Sequence, residues 1–572
     1  MSVVIRGIAA SPGIAIARVV IMEAGVPATS EQSCAENPDA ELARYEAAVV
    51  AARIELEELR DRTRETLGEL KAEIFQAHLS ILKDPELRSE VVRLLREERR
   101  SAVAAVRGAE ATFVELLSQV EDEMFKARID DIKDLCGRIV SHLEGRGGQG
   151  VLKLLEPSII VAADLTPSET AGLDRSMVKA FIIATGSAVS HSSILARSLG
   201  IPAVVGAGAA LVSLRAGSLV IVDGSDGLAI VEPDEAEIGA YRQKLAAFEA
   251  RREALRRFVD KPTKTRDGLR LELGANIGGT TDLAGADENG AEGVGLFRTE
   301  FMYMDRPTLP GEDEQYEVYR HVLSRMAPRP VVIRTLDVGG DKRLDCLPME
   351  PEANPFLGVR AIRLCLANEG LFRTQLRALL RASTSGRLRI MFPMIATIEE
   401  LRAARAVLDE ERRALEGAGV AVAEDIEVGI MIEIPAAAVM ADSLAAEVDF
   451  FSVGSNDLTQ YAMAADRMNP AVAYLHSGPH PAVLRLIGMA AVAAKRRGIW
   501  IGLCGEMAAD PLAAPLLVGM GISELSMGAA AIPTIRALLS ETDSGDARRL
   551  YETARDMESA ADVRRLMEGA NA

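Results

Sequence analysis

The sequence predicts a multidomain α/β protein. A small α/β domain carries an inserted all-helical subdomain, a helical linker follows, and a (β/α)8 barrel closes the chain. Three observations predict this. Eight short β-like runs follow one another after Lys261, separated by helical segments or loops. A charged, glycine-poor stretch of helical periodicity, Asp39 to about His142, interrupts two β-rich segments. One further charged run, Pro233 to about Val259, stands between the second β-rich segment and the eight repeats.

Residues 1–22 alternate short apolar runs with "ASPG", which reads as strand and turn. The stretch "ELARYEAAVVAARIELEELRDRTRETLGELKAEIFQAHLSIL" repeats Leu, Ala, Val and Ile at helical spacing and predicts antiparallel amphipathic helices. "GRGGQG" marks its end. "PSIIVAADL", "VKAFIIAT", "IPAVVGAG" and "SLVIVDGSDGLAIVEP" then predict a compact α/β unit over 151–232. With 1–22 it forms one domain, into which 23–150 is inserted. Residues 233–262 are the connector. From 263 to 572 the β-like runs are "LRLELGANI", "AEGVGLFRTE", "PVVIRTLDVGG", "RLRIMFPMI", "IEVGIMIEIP", "VDFFSVGSNDL", "IWIGLCGEM" and "ISELSMG". Eight strand–helix units in that length are the signature of a barrel rather than an open doubly wound sheet.

The bulk properties exclude several classes. A formal charge of −19 argues against nucleic acid and against an anionic membrane surface. No secretory signal opens the chain, and no uncharged apolar run approaches the ~20 residues of a membrane span. The cysteines Cys34, Cys136, Cys346, Cys365 and Cys504 are scattered, with no CxxC pair, which fits a reducing cytoplasm.

In a barrel the active site lies at the C-terminal strand ends. Strand 1 is expected to end at Asn276, strand 2 at Arg298, strand 3 at Arg334 with Asp337 beyond, strand 5 at Glu433 and strand 7 at Cys504 with Glu506 next. Strand 6 runs into Asn456 and Asp457, with Arg467 in the loop after it. Alone, each has an ordinary structural explanation: a surface ion pair, a small buried thiol, a helix cap. Together they do not read as packing. The arginines imply an anion with several oxygens. Glu433 and Asp457 suit a hard cation such as magnesium, its shell completed by substrate phosphate and water. Cys504 at the same rim can move a proton.

A second site is expected at "TGSAVSHSSILARSLGIPAVVG". Ser190 or His191 opens its helix, where free N–H groups and the helix dipole favour an anion. A ring there can attack a phosphoryl group. His78 and His142 read as packing or surface residues of the helical segment, and His321 as part of a barrel helix. His476 and His480 lie in a loop and make a poor metal pair.

"SHSSILARSLGIPAVVG", "GVGLFRTEFMYM", "IRTLDVGGDK", "NPFLGVRAIR", "MIEIPAA", "FSVGSNDLTQY" and "LCGEMAAD" occur in order. With them the chain resembles, over nearly its whole length, the enzyme I family of the phosphoenolpyruvate:sugar phosphotransferase system (phosphoenolpyruvate–protein phosphotransferases). The resemblance implies a swivelling phosphohistidine α/β domain at 1–22 plus 151–232 and a helical insert that docks the carrier HPr. It also implies a TIM barrel that binds phosphoenolpyruvate (PEP) and Mg2+ and forms a homodimer. By the same resemblance His191 is the phosphorylated nucleophile, attacking through Nε2, and Cys504 protonates enolpyruvate to pyruvate. Glu433 and Asp457 are metal ligands. Arg298, Arg334, Asn456, Asp457 and Arg467 meet PEP, with Arg360 a further basic residue. The chain departs from the pattern at Ala188 and Val189, where Arg-Thr is usual, and at Val359 and Ile434. The first departure keeps a nitrogen-type regulatory branch as the alternative. A dikinase or synthase would need an ATP-binding domain, and no Gly-x-x-x-x-Gly-Lys-Ser/Thr loop is present. A silent sensor would be expected to lack a catalytic residue.

Overall fold

A computed structural model of the chain describes residues 2–22, 37–67, 75, 78–79, 81–82, 85–118, 123–145, 154, 156–163, 177–185, 193, 196, 201–304, 306, 308–340, 344, 346–347, 349–350, 352–466, 469, 471–476 and 479–570. The chain divides into two compact units, Met1–Arg252 and Glu253–Ala572.

In the first unit the Val- and Ile-rich runs form an eight-stranded mixed sheet, ordered β1-β8-β7-β3-β4-β5-β6-β2. Strands β3 (Ile14–Met22), β4 (Ser158–Ala162), β5 (Val178–Ile183) and β6 (Ala203–Val205) run parallel. Strands β1 (Val3–Arg6), β2 (Ile8–Ser11), β7 (Leu219–Asp223) and β8 (Leu228–Val231) pair antiparallel with their neighbours. All five residues of β4 are buried, as expected of a strand covered on both faces. Between β3 and β4 the chain makes the helices Pro38–Leu67, Pro85–Arg96, Ala102–Ser118 and Glu123–Leu143. They enclose a core of their own that includes Tyr45, Leu56, Leu94, Val106 and Leu135. His78 is buried there with Nδ1 3.4 Å from Asp134, and His142 pairs with Glu55 at 2.8 Å. The helix Glu235–Arg256 is tied to the β7–β8 hairpin by Lys244, whose Nζ lies 2.6 Å from Asp223 and 2.7 Å from Asp226.

The second unit is a closed parallel barrel of β9 (Glu272–Ile277), β10 (Gly293–Arg298), β11 (Pro330–Arg334), β12 (Arg387–Phe392), β13 (Glu427–Ile432), β14 (Phe450–Val453), β15 (Trp500–Leu503) and β16 (Glu524–Met527). All eight expected strands form. β9 runs one residue past Asn276, and Glu433 and Cys504 directly follow their strands instead of ending them. Leu296, Val332, Met391, Met431 and Phe450 pack inside the barrel. The helices outside it bury their apolar stripe, as in Ile398–Gly417, where Leu401, Ala404, Leu408 and Leu415 face inward. His480 caps the helix Pro481–Arg497, its Nδ1 accepting from the N–H of Ala482 at 3.1 Å. His476 ends a short 3-10 turn, with Nε2 2.8 Å from the carbonyl of Ala465. Both rings are engaged with backbone. No described helix is long and apolar enough to cross a membrane.

Candidate active site

At the C-terminal ends of the barrel strands, charges of opposite sign alternate in a buried ladder. Arg334 ends β11, in register with Arg298 at the end of β10. Arg298 is exposed, whereas Arg334 turns inward and is buried. Arg334 Nη2 lies 2.8 Å from Glu300 and Nη1 2.9 Å from Asp337. The second Asp337 oxygen is 2.9 Å from Arg360 Nη2, and Arg360 Nη1 is 3.5 Å from Asp457. Tyr461 closes the chain: its hydroxyl donates to the carbonyl of Phe356 at 2.5 Å and accepts from Arg360 at 3.2 Å. Burial would lower the pKa of both guanidinium groups, but Asp337 and the other carboxylates around each hold it above its ordinary value. Both arginines are therefore fixed cations in low dielectric, where an anionic ligand feels them most.

Glu433 completes the ladder. Its Oε1 accepts from the N–H of Met394 at 2.6 Å. Met394 sits at φ 58°, a region that non-glycine residues seldom occupy, and this backbone turn aims its N–H at the carboxylate. Oε2 is buried with no hydrogen-bond partner. Burial, then Asp457 and Asp337, push the Glu433 carboxyl far above the usual carboxylate range. The carboxylates of Glu300, Asp337 and Asp457 pair with the buried guanidinium groups of Arg334 and Arg360, and Glu433 lies close enough to feel both. The unpartnered Oε2 of Glu433, with Asp457 nearby, fits a divalent cation held by these two carboxylates. Among the described residues no group of three or more His, Cys, Asp or Glu is arranged to hold a metal.

Cys504 is a buried free thiol, and burial pushes its pKa up to about 11. It stays an S–H at neutral pH, the form a proton donor needs. Asn456 sits at the start of the helix Ser455–Met463, where its Oδ1 accepts from the N–H of Glu506 at 3.1 Å and ties the loops after β14 and β15 together. The structure thus gathers Arg334, Arg360, Glu433, Asn456, Asp457 and Cys504 at one barrel end, with Arg298 at its rim. His191 and Arg467 lie outside the described residues. Sequence reasoning missed Glu300, Tyr461 and the N–H of Met394. Glu300 lies two residues after Arg298 in "RTE", a pattern that could have flagged it; the other two depend on loop geometry.

A buried cationic pair beside a carboxylate pair, on a barrel rim, defines a site for a small oxyanion with a hard cation. Comparison with known proteins narrows the class. Three models of PEP-utilising enzymes match along the chain: the N-terminal domain over residues 6–128, the mobile domain over 154–227 and the PEP-binding domain over 252–544. The chain is similar to the phosphoenolpyruvate-protein phosphotransferase of Bacillus sp. (strain S), at 50% identity over 98% of this chain and 96% of the relative. The Bacillus subtilis (strain 168) protein of the same name is 47% identical over 98% of both. A solution structure of Enzyme I is 35% identical over 43% of this chain and 99% of that one, with a TM-score of 0.36. The chain belongs to the phosphoenolpyruvate-protein phosphotransferase family of PEP-utilising enzymes.

Proposed function

We propose that this protein takes the phosphoryl group of PEP onto His191, releases pyruvate, and passes the group to a small HPr-type phosphocarrier, the first step of phosphotransferase-driven sugar uptake. The observation that carries the reading is the buried Arg334–Asp337–Arg360–Asp457 ladder beside the unpartnered Oε2 of Glu433. Phosphoryl transfer asks mainly for positioning and charge neutralisation. In this role Arg334 and Arg360, with Arg298 and Arg467, hold the phosphate and carboxylate oxygens, and Asn456 orients them. Glu433 and Asp457 hold Mg2+, which when bound neutralises charge on the transferred group. His191 attacks phosphorus in line. Cys504 then protonates C3 of the enolpyruvate left behind.

The two acceptors require His191 to face the barrel and then the carrier. Residues 1–22 plus 151–232 are proposed as the moving domain, 23–150 as the carrier dock and 233–262 as the hinge segment; domain motion of this kind gates many enzymes. The barrel, 263–572, is proposed to form the homodimer. Exposed Val439, Met489 and Val492 support that, beside a cavity of about 360 Å³ also lined by Arg485, Arg496 and Tyr551. Sedimentation returning only monomer would count against it. A free Cys504 suits the cytoplasm, which cell fractionation tests.

A single-turnover assay tests the function. With PEP and Mg2+ the protein should release one pyruvate per chain, and one further pyruvate for each carrier molecule added. His191→Ala should release none beyond background, and neither should the native protein in excess chelator. Because Ala188 and Val189 replace the usual Arg-Thr, sugar-type and nitrogen-type carriers belong in parallel arms; faster turnover with the nitrogen-type carrier would assign the regulatory branch.

A further inference from the structure

Two polar residues near Cys504 stand where barrel packing would favour aliphatic side chains. Asn276 is the next-to-last residue of β9, and Ser526, fully buried, lies on β16. In the barrel β16 runs between β15 and β9. The Asn276 side chain reaches across it: Nδ2 donates to the carbonyl of Cys504 at 3.1 Å and to that of Ser526 at 3.4 Å. The other end of the amide, Oδ1, accepts from Ser526 Oγ at 2.5 Å. Only one amide orientation satisfies all three contacts, because a flipped Asn276 would set its oxygen against two carbonyl oxygens. Gly295 of β10 makes the room, since a Cβ there would collide with Ser526 Oγ. The backbone around Cys504 is held from the other side as well. Its N–H donates to the carbonyl of Val453 at 3.0 Å, and a Cβ on Gly505 would collide with Ser455 Oγ. The Cys504–Gly505 peptide is thus clamped between Asn276 and the start of the helix Ser455–Met463.

We propose that Asn276 and Ser526 are positioning residues that set the Cys504 thiol for proton delivery to one face of enolpyruvate. The inference rests on the reading of Cys504 as proton donor. In that step the O–P bond of PEP breaks as the N–P bond to His191 forms, and the electron pair stays on the enolate oxygen. The C2=C3 pair then takes the proton from Cys504 Sγ while the oxygen pair forms the C2 carbonyl. The thiolate left behind regains a proton from water. A side chain at a strand end points where its peptide points, so loosening the Cys504 carbonyl displaces Sγ from C3.

The experiment uses the full-length protein, PEP carrying tritium stereospecifically at C3, Mg2+ and D2O, and reads the configuration of the pyruvate methyl. A parallel sample with radiolabelled phosphate reads phosphorylation of His191. The native protein should give one configuration and Cys504→Ala a mixture. Asn276→Ala and Ser526→Ala should each slow pyruvate formation about 10- to 100-fold and mix the configuration, with KM for PEP within about twofold and label still reaching His191. The double variant should be no worse than Asn276→Ala, since the two act as one unit. Two single variants with native rate and a single configuration, whatever their thermal stability, would overturn the proposal. A single configuration from Cys504→Ala would remove the donor reading and this inference together, while label on His191 would leave phosphoryl transfer standing. Absence of label on the native protein would overturn both.

Discussion

Glu524, the first residue of β16, shows how one residue in the barrel can set a pH dependence. It is buried, its Oε2 has no hydrogen-bond partner, and burial together with Glu272 pushes its carboxyl from the ordinary 4.5 up to about 8. Below pH 4.5 the group is protonated folded and unfolded, and contributes no pH dependence. Between 4.5 and 8 the unfolded chain releases the proton while the folded one keeps it, so stability falls as pH rises, and levels off above 8. Glu524→Gln should therefore match the native protein near pH 4 and gain on it up to pH 8, by on the order of a few kcal/mol. Denaturant titrations across that range check this, and parallel stability curves would contradict it. At this scale the sequence was most legible where position alone assigned a role. Arg334, Glu433 and Cys504 could be read because a charge or thiol at the C-terminal end of a barrel strand is out of place in packing. Glu300, Tyr461 and Met394 could not, since their partners come from other loops. Nor could the Asn276–Ser526 bond, which joins residues 250 apart in sequence.

Elements were legible where periodicity is strong. The eight barrel strands announce themselves as short apolar runs between turns. Of the helices between them, Ile398–Gly417 shows its buried stripe in the structure. Its start is fixed by side chains. Thr397 accepts from the N–H of Glu400 at 3.3 Å and the Glu400 carboxylate accepts from the N–H of Thr397 at 3.1 Å, a reciprocal capping box. Thr397→Ala should lower barrel stability by about 1 kcal/mol, measured by urea titration, with PEP turnover unchanged. A loss of turnover without loss of stability would show that this cap does more than hold its helix. The same helix carries Glu411, buried and paired with Arg373 at 2.8 Å and Arg377 at 3.2 Å from the helix Glu369–Ala382. The short 3-10 turns Thr299–Met302 and Glu506–Ala509, which follow β10 and the Cys504–Gly505 step, were not legible. They are too short for a period to show, yet the first holds Glu300 against Arg334.

For the whole molecule, the hydrophobic clusters fall within one or the other of the two compact units, three of them in the first. The sequence showed this as a change of texture: mixed β-rich and charged helical segments first, then eight repeats. The described residues proposed to bind PEP all belong to the second unit, where the PEP-binding domain model also matches, so ligand should protect that unit selectively. In calorimetry, PEP with Mg2+ at about 100 times its Kd should add about 2.7 kcal/mol to one transition and leave the other in place. His191→Ala, which is expected to prevent turnover, is the form to use. Equal shifts of both transitions, or of neither, would contradict a site built within the barrel. Charge gathered at that barrel end is proposed to move a phosphoryl group onto His191. The most direct measurement is peptide mapping after incubation with PEP labelled in its phosphate and Mg2+. Acid-labile, base-stable label is expected on the peptide containing His191 in the native protein, and none there in Glu433→Gln or His191→Ala. Label on another residue, or undiminished label in His191→Ala, would contradict it.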